Sequence, residues 1–222
     1  MTLTVKKPVR QTHVLVVDDH PVVRLGIRQM IAAEPDLSVC AEADTPDAAL
    51  SACRSSHVDL AIVDLSLGST SGLELIKVLH EEYPTLPILV LSMHDESLFA
   101  QRALRAGARG YLQKHEAIEG LVRAIREVVA GKVYVSDTVA QQVLAGLRGA
   151  TSAPTDQLAT LTDREIQVLE RVGRGSSTAE IADDLGVSVK TIETYRSNIK
   201  AKLNLKSALD LVRYATSWIE RP

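Results

Sequence analysis

Leu60-Ala61-Ile62-Val63-Asp64 is the stretch that decides the fold: four apolar residues ending on a carboxylate, then the looser run Leu65-Ser66-Leu67-Gly68-Ser69-Thr70-Ser71-Gly72. An apolar run this short and continuous reads as a strand buried on both faces, of the kind found in parallel sheets. Three further segments share the design. His13-Val14-Leu15-Val16-Val17 stops at Asp18-Asp19, Ile88-Leu89-Val90-Leu91 stops at Ser92, and Gly110-Tyr111-Leu112-Gln113 stops at Lys114. Laid parallel, these four strands gather Asp18, Asp19, Asp64, Ser92 and Lys114 at their carboxyl ends, where open α/β sheets bind ligands.

The flanking segments complete the pattern. Pro21-Val22-Val23 opens a helix with Val23, Ile27, Met30 and Ile31 on its inner face, ended by Glu34-Pro35. Leu37 to Ala43 supplies a further strand. Thr45-Pro46 caps a second helix with Ala49, Leu50 and Cys53 inward, and Ser71-Gly72 starts a third with Leu75, Ile76 and Leu79 inward, stopped by Tyr83-Pro84. A helix from about Leu98 to Ala106 is closed by Gly107, and another runs from about Ile118 to Ala130. Alternating strand and helix units of this kind make an α/β domain with a doubly wound five-stranded parallel sheet.

After a helical stretch from about Ser136 to Arg148, the run from Gly149 to Gln157 is small and polar with one proline, and reads as a linker. Beyond it no strand pattern occurs. Residues 162–218 read as short helices broken at Gly173 to Ser176, Gly186 to Ser188 and Leu203 to Lys206, a small all-α domain. The first residues, Met1 to Gln11, look like a frayed leader.

At 222 residues and 45% hydrophobic content the chain supports one large or two modest domains. The net charge of −3 gives no bulk electrostatic case for nucleic acid or membrane, so any basic surface must be local. The two cysteines, Cys40 and Cys53, lack metal-ligand spacing and point to buried thiols in a reducing compartment. No apolar run reaches spanning length. The expectation is a cytoplasmic protein with no membrane partner.

Three carboxylates converging at strand ends repel one another and raise one another's pKa values unless a cation sits among them. Oxygen ligands with room for water suit Mg2+, which prefers one or two carboxylates plus a phosphoryl oxygen. Lys114 and Ser92 then make sense as a counter-charge and a hydroxyl donor to that phosphoryl group, and Asp64, central and deepest, as the nucleophile. A single aspartate at a strand end is more often a capping residue, and a lone lysine a solvated charge. Four coincident strand ends change that balance.

These residues resemble, position by position, the receiver domain of bacterial two-component response regulators over about residues 12 to 132: an acidic pair after strand one, an aspartate after strand three, a hydroxyl after strand four, a lysine after strand five, and Tyr111 as a switch aromatic. The resemblance implies that Asp64 accepts a phosphoryl group from a sensor histidine kinase. It further implies that Asp18, Asp19, Asp64 and the backbone carbonyl of Ser66 bind magnesium, and that Ser92 and Tyr111 relay the change: Ser92 turns inward and the Tyr111 ring leaves the surface to fill the space beside strand five. Two positions depart from the family pattern. Members commonly carry Pro where this chain has Gly68, so the loop should be looser or differently turned. Many also have a cis Pro where this chain has His115.

In the second domain, Ser177 to Leu185 and Val189 to Leu203 flank the turn Gly186-Val187-Ser188. Ile192, Tyr195, Ile199 and Leu203 make one buried stripe, and Lys190, Thr194 and Ser197 lie opposite with Glu193 beside them. From Ser188 to Lys206 five basic residues, Lys190, Arg196, Lys200, Lys202 and Lys206, face one acid, Glu193, a local footprint for phosphate backbone. Such a charge run alone is more often a solvated face. The wider pattern Leu161-Thr162-Asp163-Arg164-Glu165, Val168-Leu169, Gly175, Glu180-Ile181-Ala182, Leu185, Ser188, Thr191-Ile192 and Lys202-Leu203 resembles the LuxR-type helix-turn-helix domain over about residues 158 to 218. With the receiver this looks like the NarL/FixJ family. The resemblance implies that Lys190, Glu193, Thr194 and Ser197 meet base edges of double-stranded DNA, that Arg196, Lys200, Lys202 and Lys206 meet phosphate, and that the final helix is the dimer contact.

The expected organisation is a receiver over 12–132, a helical extension and linker over 133–157, and a LuxR-type domain over 158–222. The expected function is a phosphorylation-dependent transcriptional regulator, not an enzyme, acting as a homodimer when phosphorylated, with RNA polymerase as a further candidate partner. Two rivals are weaker. A phosphohydrolase with an aspartate nucleophile usually wants a second acid two residues on, where this chain has Ser66, and a receiver that is never phosphorylated has no need of the complete acidic pocket and Lys114.

Overall fold

The computed structural model describes residues 11–68, 70–94, 96–147, 158 and 160–219. The linker expected at 149–157 and the leader before Gln11 lie outside the described residues. The chain divides into two compact units, meeting at residues 144 and 145.

In the first unit the strands are β1 (Thr12–Val17), β2 (Leu37–Ala43), β3 (Leu60–Val63), β4 (Ile88–Ser92) and β5 (Gly110–Gln113). They form one parallel sheet in the order β2-β1-β3-β4-β5. The order reverses between β1 and β3, which puts the ligand crevice outside their carboxyl ends. Every residue of β3 and β4 is buried, as their unbroken apolar character requires of strands covered on both faces. Around the sheet lie α1 (Pro21–Ala32), α2 (Pro46–Ser55), α3 (Gly72–Glu82), α4 (Glu96–Ala106) and α5 (Ala117–Val129), followed by α6 (Asp137–Leu147). One core joins Val14 and Val16 of β1, Leu60 and Ile62 of β3, and Leu121, Ile125 and Val128 of α5.

The element boundaries follow local chemistry. Pro46 opens α2 with the Thr45 side chain accepting from the Ala48 amide. Helix α4 begins at Glu96, two residues before the apolar periodicity does, and Gly107, at φ +112°, lets the chain leave it. The looser run after β3 contains a two-residue antiparallel ladder pairing Ser66–Leu67 with Thr70–Ser71. Beyond α5, Tyr134 pairs with Gly110 and extends the sheet edge, which no strand pattern announces. Cys40 and Cys53 are free and only partly buried, and burial pushes both thiols up.

The second unit contains α7 (Asp163–Gly173), α8 (Thr178–Asp184), α9 (Val189–Lys202) and α10 (Ala208–Ile219). Reciprocal capping boxes, Thr162 with Glu165 and Ser177 with Glu180, fix the starts of α7 and α8. Ile166, Leu169, Ile181, Leu185, Ile192, Ile199, Leu211 and Ala215 make its core.

Candidate functional site

Asp18 and Asp64 follow the last residues of β1 and β3, so adjacent parallel strands bring their carboxylates together, and both side chains are 2% exposed. Gly72 opens α3 directly beneath Asp64. A Cβ there would lie 2.0 Å from the Asp64 carbonyl oxygen, so only glycine lets the helix start so close to the strand end. Gly68 takes φ +54° and its amide donates to Asp19 Oδ2 at 2.8 Å. A proline could do neither, and this is the different turn its absence foretells. Among the described residues there is no cis peptide bond, and Lys114 opens a short 3-10 turn ending at Glu116.

Lys114 reaches the crevice from the end of β5, its Nζ 2.7 Å from both Asp18 Oδ2 and Asp64 Oδ2. Burial acts to raise the Asp64 carboxyl, Lys114 draws it down and Asp18 pushes it up, for a net rise. Burial would lower the Lys114 ammonium, but attraction to Asp64 and hydrogen bonds to both carboxylates outweigh it, so its pKa rises. Asp18 Oδ1 accepts from the His20 amide at 2.8 Å, and the His20 ring lies 2.7 Å from Asp19 Oδ1. Carboxylate and ring ligand atoms of Asp18, Asp19, His20 and Asp64 all lie within 4.8 Å of one another. Three carboxylates against one ammonium leave a negative excess. Asp64 Oδ1 is buried with no hydrogen-bond partner, a cost of about 1–3 kcal/mol unless something fills the position. This oxygen-rich, partly unsatisfied donor set fits a hard divalent cation.

Ser92 ends β4, fully buried, and its Oγ accepts from the His94 amide at 3.2 Å. Tyr111 is 1% exposed, with its hydroxyl donating to the His94 carbonyl at 2.9 Å. The expectation of a ring resting at the surface is therefore corrected. Tyr111 lies on the β5 face covered by α4, so its ring packs inward and its hydroxyl meets a backbone acceptor instead of water. His94 itself, 5% exposed, puts Nε2 3.0 Å from Ser66 Oγ and stacks on Phe99 at 4.6 Å between ring centroids. Sequence reasoning missed both His20 and His94. The position of His20 beside the acidic pair was a usable signal, whereas His94 depends on a loop path that no periodicity reveals.

In the second unit, Ser188 caps α9 by accepting from the Thr191 amide at 3.1 Å, and Ile192 and Ile199 are buried. Lys190, Glu193, Thr194 and Ser197 are all exposed on the opposite face, as their spacing predicts. The Thr194 hydroxyl donates to the Lys190 carbonyl at 3.0 Å, which commits its proton and leaves the methyl group and a lone pair outward. Arg196 is half-buried and donates to Thr178 Oγ1 at 2.9 Å, tying α9 to the start of α8. Lys206 is exposed and Lys200 partly so. The Lys202 Nζ lies 2.6 Å from the Oε2 of buried Glu165, the carboxylate that also accepts from the Thr162 amide. The pair ties α9 to α7 while the Lys202 side chain stays 36% exposed.

Residues 14–126 match the response regulator receiver domain, and residues 159–215 match the bacterial regulatory proteins of the luxR family. The chain belongs to the NarL/FixJ family of response regulators. This response regulator is 33% identical over 204 residues to response regulator UvrY of Escherichia coli strain K12, covering 91% of this chain and 93% of that one. It is 36% identical over 206 residues to the transcriptional regulatory protein UhpA of Salmonella typhimurium strain LT2, covering 92% and 98%. Among solved structures, it resembles RcsB of Salmonella enterica serovar Typhimurium, bound to a promoter in the presence of the phosphomimetic BeF3−, at TM-score 0.61 and 25% identity over 94% of this chain and 100% of that one. The response regulator thus joins a receiver to a LuxR-type DNA-binding domain, in a family of two-component transcriptional regulators and not of enzymes. Its acidic group is of the kind at which receiver domains bind Mg2+. No helix among the described residues is long and apolar enough to cross a membrane.

Proposed function

We propose that Asp64 is the phosphoacceptor of a cytoplasmic transcriptional regulator whose DNA affinity is set by phosphorylation. The observation that carries this reading is the buried Asp64 carboxylate, held through Oδ2 by Lys114 with Oδ1 left without a partner. Its carboxylate oxygen attacks the phosphorus of a phosphohistidine on the sensor kinase. The P–O bond forms as the P–N bond breaks, and the departing imidazole takes a proton. Lys114 shifts from bridging two carboxylates to pairing with a phosphoryl oxygen. Ser92 Oγ, which accepts from His94, keeps its own proton to donate to another. Magnesium, held by the carboxylates of Asp18, Asp19 and Asp64 and the carbonyl of Ser66, would neutralise charge on the transferring group.

The domain reading is a receiver over 12–132, an extension and linker over 133–157, and a DNA-binding domain over 158–222. Helix α9 enters the major groove with Lys190, Glu193, Thr194 and Ser197 toward base edges, the Thr194 methyl suiting thymine. Lys200 and Lys206 meet phosphate, with Arg196 assisting from its anchor on Thr178. Leu209, Val212 and Ile219 of α10 are exposed at spacings of three and seven, an apolar stripe suited to pairing two copies on paired half-sites. The deciding experiment is intact-mass analysis after acetyl phosphate with magnesium. Wild type should gain one phosphoryl group and Asp64→Asn none, and equal modification of both would remove the assignment.

A further inference from the structure

Two imidazoles and a carboxylate converge at the end of the receiver sheet opposite the acidic crevice. His13 stands near the start of β1, and His57 and Asp59 in the turn that leads into β3. Asp18 lies five positions after His13 along β1, about 16 Å at a strand rise of about 3.3 Å per residue.

Backbone pairing fixes two of the three side chains. The Asp59 amide donates to the His13 carbonyl at 2.8 Å, and the His13 amide donates back to Asp59 Oδ2 at 2.9 Å. The rings then both turn toward this carboxylate. His13 Nδ1 lies 3.0 Å from Asp59 Oδ2, His57 Nε2 lies 3.1 Å from Asp59 Oδ1, and the ring centroids are 5.6 Å apart at 70°. One donor atom from each residue falls within 4.8 Å of the other two.

We propose that His13, His57 and Asp59 form a binding site for a divalent transition metal of the zinc class. Each inward-facing ring nitrogen needs a proton to meet the carboxylate, and one metal ion does at a single centre what those two protons do separately. Zinc bonds of about 2.0–2.2 Å in tetrahedral geometry place ligand atoms about 3.4 Å apart; the two rings now meet different oxygens of Asp59 with all three ligand atoms within 4.8 Å of one another, so side-chain rotation alone brings them onto one ion. Two nitrogens and one oxygen suit Zn2+, Ni2+ or Cu2+ and suit Mg2+ and Ca2+ poorly, which separates this site chemically from the carboxylate-rich crevice. Three protein ligands leave a fourth position to water. Access is open: the His13 and His57 side chains are 42% and 69% exposed, and Asp59 also borders a cavity of about 550 Å3 whose wall includes Thr12, Pro87 and Arg109. The competing arrangement is a plain hydrogen-bonded His–Asp–His cluster. It requires nothing to bind.

Zn2+ and Co2+ titration of the metal-stripped full chain separates them. With excess magnesium present to occupy the acidic crevice, wild type should take up one ion, and Co2+ should give the intense visible absorption of a low-coordinate site. His57→Ala, which alters an exposed side chain, and His13→Gln should each weaken Zn2+ binding at least tenfold and abolish that absorption, while beryllofluoride capture with magnesium stays at the wild-type level. His20→Ala should leave zinc binding unchanged. Equal affinity in wild type, His57→Ala and His13→Gln would overturn the site, and loss confined to His20→Ala would move the ion to the acidic crevice.

Discussion

The Tyr111 hydroxyl donates to the His94 backbone carbonyl at 2.9 Å, across the gap between the end of β4 and the middle of β5. The same residue, His94, donates its amide to Ser92 and sets its ring nitrogen 3.0 Å from the Ser66 hydroxyl. One buried histidine thus links the residue two beyond Asp64, the hydroxyl at the end of β4, and the aromatic of β5. With the Tyr111 ring already inward, a phosphoryl group has no ring to pull in from the surface. It can instead stabilise the Ser92–His94–Tyr111 arrangement against alternatives, which is a shift of population.

Tyr111→Phe tests this directly, because it keeps the ring and removes only the hydrogen bond. The receiver should lose about 1 kcal/mol, up to about 3 if the His94 carbonyl is left dry, and the beryllofluoride-induced gain in dimerisation should fall. Tyr111→Ala, which empties a fully buried site, should cost about 3–5 kcal/mol. Urea unfolding and sedimentation with and without beryllofluoride give both quantities. A Tyr111→Phe protein with wild-type stability and wild-type response would remove the hydrogen bond from the switch.

Two glycine substitutions should act in opposite directions. Gly26, inside α1, has nothing within 4 Å of an added Cβ, so Gly26→Ala should stabilise the receiver by about 0.5–1 kcal/mol. Gly72→Ala drives a Cβ against the Asp64 carbonyl and the Leu65 backbone, neither of which can move without shifting the strand end. It should destabilise by about 1–3 kcal/mol or more and slow phosphorylation by acetyl phosphate. Denaturation curves and mass-resolved phosphorylation rates check both. Comparable rates in Gly72→Ala and wild type would mean that α3 does not position Asp64.

The sheet was legible because its strands are continuous apolar runs ending on polar residues, a pattern that local sequence alone displays. Asp18, Asp64 and Lys114 were legible for the same reason: each sits at the first position after such a run or one step beyond. What escaped depended on contacts between segments far apart in the chain. His94 gains its role from Ser66, twenty-eight positions away, and from Tyr111, seventeen away. Lys202 lies in a basic run, and nothing in that run announces Glu165, thirty-seven positions earlier, as its partner. Side-chain direction on a helix can be read from spacing, but the partner that meets it cannot.

Lys202 and Glu165 give a pH-dependent prediction. Burial acts to raise the Glu165 carboxyl, but the Lys202 hydrogen bond and the Thr162 amide outweigh it and hold the pKa below the ordinary value of 4.5. A carboxyl with a depressed folded pKa contributes stability above its unfolded pKa, and that contribution is lost as pH falls through the folded value. Lys202→Met removes the main lowering influence, so the variant should be less stable at neutral pH and should approach wild type in acid, where both carry a protonated Glu165. Trp218, the chain's one tryptophan, is buried in α10 and reports unfolding of this unit by fluorescence. A stability difference that stays constant from neutral pH to pH 3 would contradict the ion pair.

The DNA-binding surface makes the last prediction, which separates three residues of α9 by what each side chain is free to do. Lys200 lies partly exposed beside the outward face of α9, so Lys200→Ala should weaken operator and random duplex about equally and lower the salt slope of binding by roughly one. Lys202→Met should leave that slope unchanged, because its ammonium is already neutralised by Glu165 at 2.6 Å. Thr194 should behave differently from both. Its hydroxyl proton is committed to the Lys190 carbonyl, so what it offers a base is chiefly a methyl group, and methyl contact favours thymine at one position of each half-site. Thr194→Ser, which keeps the hydroxyl and deletes the methyl, should then relax preference at that position as far as Thr194→Ala does. Binding isotherms for the four variants and wild type, on operator, single-base-pair variants and random duplex at several salt concentrations, resolve the three roles. Should Thr194→Ser keep wild-type preference while Thr194→Ala loses it, the hydroxyl must leave Lys190 on binding and read the base itself.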